Sequence, residues 1–236
     1  DTVGLIRSGD VIPKIVSVHM EGIDPKDRGA PVVFLKTCSS CQKPIIKLEG
    51  EADYKCVNHT GCPAMKLSHL IKFVDRDCVD IIGLSKSNLV ELINNRFISD
   101  GTDLYTLADK VPELIKKTRY GEKSAKNLIK AIEASRTIPL HKFIYSLQID
   151  SVGRTVSRQL AQRFLTIEEV SKAFLDAATP NSPGWVAIFS LPGIGSTLMR
   201  NINAFFSLDK NKEWFEKMKS IFTITPDKPQ VASPIS

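Results

Sequence analysis

No apolar run in the 236 residues approaches the roughly 18 that a membrane-spanning helix requires. No amino-terminal stretch couples a basic start to an apolar core, so no secretory leader is visible. Cysteine is scarce: the chain has five, and four of them fall between Thr37 and Ala64. It is not the small, cysteine-dense chain of a disulfide-stapled secreted domain. The bias of disordered or fibrous chains is also missing, because 42% of residues are apolar and 25% are charged. What is left is a globular composition, long enough for one large domain or two or three small ones.

Acidic residues are in the minority. The excess of Lys and Arg gives a formal net charge of +6, which favours a polyanionic partner, with nucleic acid foremost. A merely basic protein would carry the same charge.

The clustered cysteines are spaced Cys38-x2-Cys41, fourteen residues, then Cys56-x5-Cys62. The first pair suits a tight knuckle that presents two thiolates to one ion, with small Thr37, Ser39 and Ser40 letting backbone amides approach. IIKLEGEADYKC reads as a strand, a glycine turn and a second strand that returns Cys56 to the knuckle. Gly61-Cys62-Pro63 sets the fourth sulfur at a turn before a helix. Four soft ligands with no open position describe a tetrahedral structural zinc rather than a catalytic one. The rival readings are a disulfide pair, His59 replacing one cysteine, and free thiols gathered by chance. Cys78, in FVDRDCVDIIG at helical spacing from Val74 and Ile81 or Ile82, reads as a small core residue.

From Leu67 onward a pattern of helix, glycine turn and second helix recurs every 30 to 40 residues or so. Its turns are Gly83-Leu84-Ser85, Arg119-Tyr120-Gly121, Ile149 to Gly153, and Leu191-Pro192-Gly193-Ile194-Gly195. The fold class expected is mainly α: tandem helix-hairpin-helix units behind a small four-cysteine finger. Leu84, Tyr120, Val152 and Ile194 should plug each turn into the core. Glycine frees the backbone and lets a phosphate come close, and the following helix offers free N–H groups and its positive dipole end. Candidate DNA-binding residues are therefore Gly83, Ser85 and Lys86; Gly121, Lys123 and Ser124; Gly153 and Arg154; and Gly193, Gly195 and Ser196. Lys126, Arg158 and Arg200 lie close behind. Such a grip holds backbone without reading bases, so it should be salt-sensitive and indifferent to sequence. The first turn, with Ser85 for a second glycine, and the second, with Arg119 for a first, are the most degraded copies.

The opening DTVGLIRSGDVIPKIVSVHMEG reads as two strands joined at Ser8-Gly9-Asp10, with Pro13 at an edge or strand end. A lone hairpin is marginal, so a larger sheet lying mostly upstream is expected. Asp24 to Pro31 form a turn-rich linker, and TPDKPQVASPIS a Pro/Ser-rich tail or linker.

This order of parts, with GDVIP, the four-cysteine spacing followed by Pro63-Ala64, and GEKSAKNLIKAIEAS, closely resembles the carboxy-terminal half of NAD-dependent DNA ligases over roughly Asp1 to Phe206. The resemblance implies a division into the end of an oligonucleotide-binding (OB) barrel (1–22), a four-cysteine zinc finger with linker (23–66), four helix-hairpin-helix motifs (67–208), and a final helix with tail or linker (209–236). It implies one structural zinc on Cys38, Cys41, Cys56 and Cys62, a zinc that sets the angle between barrel and hairpins, and hairpins that clamp nicked double-stranded DNA. Arg7 and Lys14, flanking the GDVIP turn, become candidate phosphate contacts. The family's reaction, in which a lysine takes AMP from NAD and passes it to a 5′-phosphate, needs a Lys-x-Asp-Gly motif and magnesium. The sole Asp-Gly here, Asp100-Gly101, has Ile98 at the lysine position. NAD and magnesium thus belong to other domains, no catalytic residue is expected, and the fragment should be inactive alone. A monomer, cytoplasmic and nucleoid-associated if bacterial, is the corresponding expectation, with no membrane partner.

Two other readings compete. One is a free-standing zinc and hairpin DNA-binding adaptor of a repair complex, against which the truncated strand pair speaks. The other is a repair nuclease using Asp75, Asp77 and Asp80 as metal ligands; these read instead as a solvated or ion-paired face beside Arg76.

Overall fold

The computed structural model describes residues 2–8, 12–19, 21–22, 24, 26, 29–47, 53–58 and 61–227. The Gly9-Asp10 turn, His59, parts of the 24–31 linker, the glycine turn of the finger and the Pro/Ser-rich tail beyond Asp227 lie outside them. The chain divides into two compact units, Asp1–Val57 and Asn58–Ser236.

In the first unit, β1 (Thr2–Ser8) and β2 (Ile12–His19) form an antiparallel ribbon, with Thr2 opposite His19 and an irregularity between Gly4 and Leu5. Pro13 faces Arg7 near the start of β2. Neighbouring strand residues point to opposite faces, and the consecutive pairs Leu5–Ile6 and Ile15–Val16 are all exposed. Both faces of the ribbon are therefore apolar and open. The two-residue strands β3 (Ile45–Ile46) and β4 (Lys55–Cys56) pair antiparallel. They are the strand pair expected between the two cysteine pairs.

The second unit is helical: α1 (Pro63–Val74), α2 (Lys86–Asn94), a 3-10 segment (Gly101–Lys110), α3 (Val111–Lys117), α4 (Glu122–Ala134), α5 (Leu140–Ser146), α6 (Arg154–Phe164), α7 (Ile167–Asp176), α8 (Pro183–Phe189), α9 (Ser196–Phe206) and α10 (Asp209–Ile221). Strands β5 (Thr137–Pro139) and β6 (Thr223–Thr225) pair in parallel. The mainly α fold expected from the sequence is what forms.

Each long helix buries one stripe, as its 3.6-residue period dictates. α4 buries Ala125, Leu128 and Ile132; α9 buries Leu198, Met199, Ile202 and Phe206. Together they form one core running from Leu70 to Phe222, with Phe206 edge-on to Phe215 of α10 at 5.3 Å. Pro63 at the first helical position opens α1 with its φ preset for a helix.

One local expectation fails. The helical spacing read through Val74, Cys78 and Ile81 or Ile82 does not correspond to a helix. α1 ends at Val74, Asp75 is an extended C-cap, and Arg76 to Val79 form turns. The Asp75 carboxylate accepts the Asp77 N–H at 2.9 Å, and its carbonyl accepts Cys78 and Asp80 N–H. An aspartate that bonds its own downstream backbone competes successfully with the helix. Cys78 is nonetheless fully buried, whereas Ile82 projects outward.

Candidate metal centre and nucleic-acid interface

The finger is assembled by backbone hydrogen bonds around short strands. Cys38 N–H donates to Lys43 O and Gln42 N–H to Cys38 O, each at 2.8 Å, and Gln42 takes φ 56°, which folds Cys38 and Cys41 into a tight knuckle. Ile45 pairs with Cys56 across β3 and β4, returning the third sulfur. Cys62 caps α1 in an extended conformation, its carbonyl accepting Lys66 N–H, and the Asn58 side chain holds Gly61 N–H at 3.0 Å. All four sulfurs lie within 4.8 Å of one another. Tetrahedral zinc with bonds near 2.3 Å spaces its sulfurs by about 3.8 Å, and Cys41 and Cys56 stand 3.5 Å apart. A disulfide requires about 2.05 Å, and none of the five cysteines forms one. The donor set fits a closed metal site.

The four turns expected from the sequence all form, and they share a buried plug and an extended cap. The plug residue is buried in each: Leu84, Tyr120, Val152 and Ile194. The residue after it is the N-cap of the next helix and is extended in every case, with φ between −77° and −105° and ψ between 166° and 179° at Ser85, Gly121, Gly153 and Gly195. Two residues before the cap, Gly83, Ser151 and Gly193 adopt φ of 93°, 68° and 76°, the left-handed region that favours glycine. Arg119 at the same place in the second turn does not, which is why that copy needs no first glycine.

The cap glycines have a different rationale. Their φ values suit any residue, and a Cβ added at Gly121, Gly153 or Gly195 would meet nothing within 4 Å. Neither conformation nor packing demands glycine there. Its effect is to leave the N-termini of α4, α6 and α9 bare and exposed. In the first turn Ser85 instead closes a capping box, accepting Asn88 N–H while the Asn88 side chain accepts Ser85 N–H. In the second, Ser124 donates to Gly121 O at 3.0 Å.

Lys86, Lys123, Lys126, Arg154, Arg158, Ser196 and Arg200 all lie exposed near these caps. Arg154 is paired with Asp77 at 2.6 Å and Lys142 with Asp80 at 3.7 Å. Of the carboxylates considered for a nuclease site, Asp77 and Asp80 are thus ion-paired, and Asp75 instead accepts a backbone N–H. Among the described residues, the cysteine quartet is the one His/Cys/Asp/Glu group placed to hold an ion. Arg7 and Lys14 are exposed on the ribbon. Asp100, of the sole Asp-Gly pair, accepts Thr102 N–H at 2.7 Å and so caps the 3-10 segment.

Side chains the motif reading missed are Glu91, Gln159 and Asn201. Each lies six residues beyond a cap and bonds the neighbouring turn. Aligning the four helices on their caps would have shown a polar residue at that place every time, Asn127 included.

Finger and hairpins together define the class: a mainly α protein with a four-cysteine zinc-finger unit followed by tandem helix-hairpin-helix turns. Residues 37–64 match the NAD-dependent DNA ligase C4 zinc finger domain. The DNA ligase of Symbiobacterium thermophilum is 34% identical over 220 residues, covering 93% of this chain and 31% of that protein. The DNA ligase of Rhodospirillum rubrum is 35% identical over 218 residues (90% and 31%), and that of Saccharophagus degradans 34% over 227 (96% and 32%). The chain therefore spans about a third of the length of the curated relatives it matches. The resemblance to the NAD-dependent DNA ligases holds: the chain carries their zinc finger and is similar to DNA ligases along nearly all of its own length.

Proposed function

We propose that this chain is the duplex-gripping part of an NAD-dependent DNA ligase, binding nicked DNA without base preference and without catalysing a reaction itself. The observation that carries the reading is the repeated turn: a buried plug, an exposed extended cap and a basic residue shortly after it, four times over. Bare helix N-termini suit phosphate oxygens, and Lys86, Lys123, Arg154 and Arg200 add the cationic charge that makes such contacts salt-dependent. The finger would hold zinc on Cys38, Cys41, Cys56 and Cys62. Four thiolates leave no position open for a substrate, so a metal held there would supply folding energy rather than a reaction step. No Lys-x-Asp-Gly occurs in the sequence, so adenylation with NAD and magnesium is assigned to other domains of the parent enzyme.

The ribbon of residues 1–22 fits the end of an OB barrel, because a strand pair apolar on both faces requires partners. Residues 23–66 make the finger with its linker, 67–208 the hairpins, and 209–236 the final helix and tail. Among the described residues no helix is long and apolar enough to cross a membrane. A monomer working at the nucleoid is the state that goes with this role.

The test is fluorescence anisotropy of the zinc-loaded chain on nicked duplex DNA across a salt series. Binding that weakens steeply with salt, is equal for unrelated sequences and requires one zinc per chain supports the reading. Absence of duplex binding at low salt overturns it.

A further inference from the structure

The third and fourth turns are tied together by a reciprocal pair of side chains. Gln159 of α6 donates from Nε2 to the carbonyl of Pro192 at 3.3 Å. Asn201 of α9 donates from Nδ2 to the carbonyl of Asp150 at 3.1 Å and to Ser151 Oγ at 3.0 Å. The symmetry is close. Gln159 and Asn201 each lie six residues after their own cap, Gly153 or Gly195, and Asp150 and Pro192 each lie three before it. Each of α6 and α9 thus reaches across to hold the loop that leads into the other. Between the first and second turns the tie runs one way: Glu91 accepts Arg119 N–H at 2.8 Å.

The contacts act on backbone that would otherwise drift. Ser151 holds φ 68°, a region unfavourable for a residue other than glycine, and its hydroxyl is one of the two groups Asn201 grasps. The plugs Val152 and Ile194 anchor each turn to the core beneath it, but a plug fixes depth, not the distance between neighbouring turns. Two bare helix ends that must meet one phosphate backbone gain from a spacing set in advance, since a spacing that fluctuates must be ordered on binding.

We infer that Gln159 and Asn201 are positioning residues, a crosswise clasp that sets the separation of the third and fourth turns so that both grip the same duplex. The inference rests on the DNA-binding reading above, and its test separates the two. Gln159→Ala, Asn201→Ala and the double variant are prepared in the zinc-loaded chain, and amide hydrogen exchange is followed without DNA. Asn201→Ala should accelerate exchange at Val152 and Gly153, and Gln159→Ala at Ile194, whose N–H groups bond within their own turns, each on the opposite hairpin from the substitution. Affinity for nicked duplex should fall about fivefold for Gln159→Ala, the loss expected when one ordinary hydrogen bond is removed, at least as far for Asn201→Ala, which removes two, and further for the double. Faster crosswise exchange with unchanged affinity would overturn the clasp as a positioning device. Weaker binding with unchanged exchange would overturn it too, making these side chains direct DNA contacts. If the unsubstituted chain binds no duplex, the DNA-binding reading fails and this inference with it, while the exchange data still report whether the clasp exists.

Discussion

Substituting Gly195→Asp should separate stability from binding, because the two respond with opposite sign. Gly195 caps α9 with φ −105° and ψ 176°, a conformation open to any residue, and a Cβ there meets nothing within 4 Å. Aspartate is a better N-cap than glycine by a few tenths of a kcal/mol and adds a favourable charge at the dipole's positive end. The helical unit should therefore gain about 0.3–1 kcal/mol. For a domain of this size that raises Tm by about 1–4 °C. The same carboxylate would stand where a phosphate is proposed to dock. Two like charges about 4 Å apart repel by about 1 kcal/mol in bulk water and about 4 kcal/mol near a protein surface. The expected loss of duplex affinity runs from about fivefold to about a thousandfold, with a salt dependence shallower by roughly one phosphate. Thermal melts and anisotropy at several salt concentrations, on one zinc-loaded preparation, read both effects. Unchanged affinity in a protein at least as stable would refute the idea that the bare cap faces DNA. A lower Tm would refute the claim that the fold has no need of glycine at this position.

Two further outcomes follow from the same structure. In a thiol titration the folded, metal-loaded chain should resist modification, chelation should expose the four finger cysteines, and Cys78 should react only on unfolding. Burial is the main reason, raising the Cys78 thiol to about 12 although Lys72 pulls the other way; a fifth thiol reacting in the chelated but helical protein would contradict it. Asp103 should make the 3-10 segment acid-sensitive. Partial burial raises its pKa, but the Ser99 N–H and hydroxyl, both at 2.8 Å, and the Asp100 N–H outweigh that and hold it below the usual 3.8. A carboxyl depressed in the folded state stabilises above its unfolded pKa, and that stability is lost as pH falls through the folded one. Asp103→Asn should thus cost about 1 kcal/mol at neutral pH, with the gap to the parent chain narrowing as pH falls below about 4 in denaturant titrations; a gap that widens as pH falls would count against it.

The finger and the turns were legible because their chemistry is local. Two cysteine pairs at fixed spacing and a proline after the fourth specify a knuckle, a strand pair and a helix start, and the plug-then-cap pattern of Val152-Gly153 or Ile194-Gly195 needs only neighbouring residues to define it. The helical spacing of Val74, Cys78 and Ile81 misled, because Asp75 spends its carboxylate on the backbone of Asp77 and stops the helix, a choice that apolar periodicity does not record. What the sequence determined alone was therefore the set of parts: a four-thiol cluster, helices with one apolar stripe each, and glycine at three caps where a side chain would cover the helix end. Tertiary structure decided how the parts engage. It set Arg154 against Asp77 and brought Asn201 to Asp150 and Gln159 to Pro192. Those contacts join residues 33 to 77 positions apart, and such distant partners are chosen only when the helices pack on a shared core.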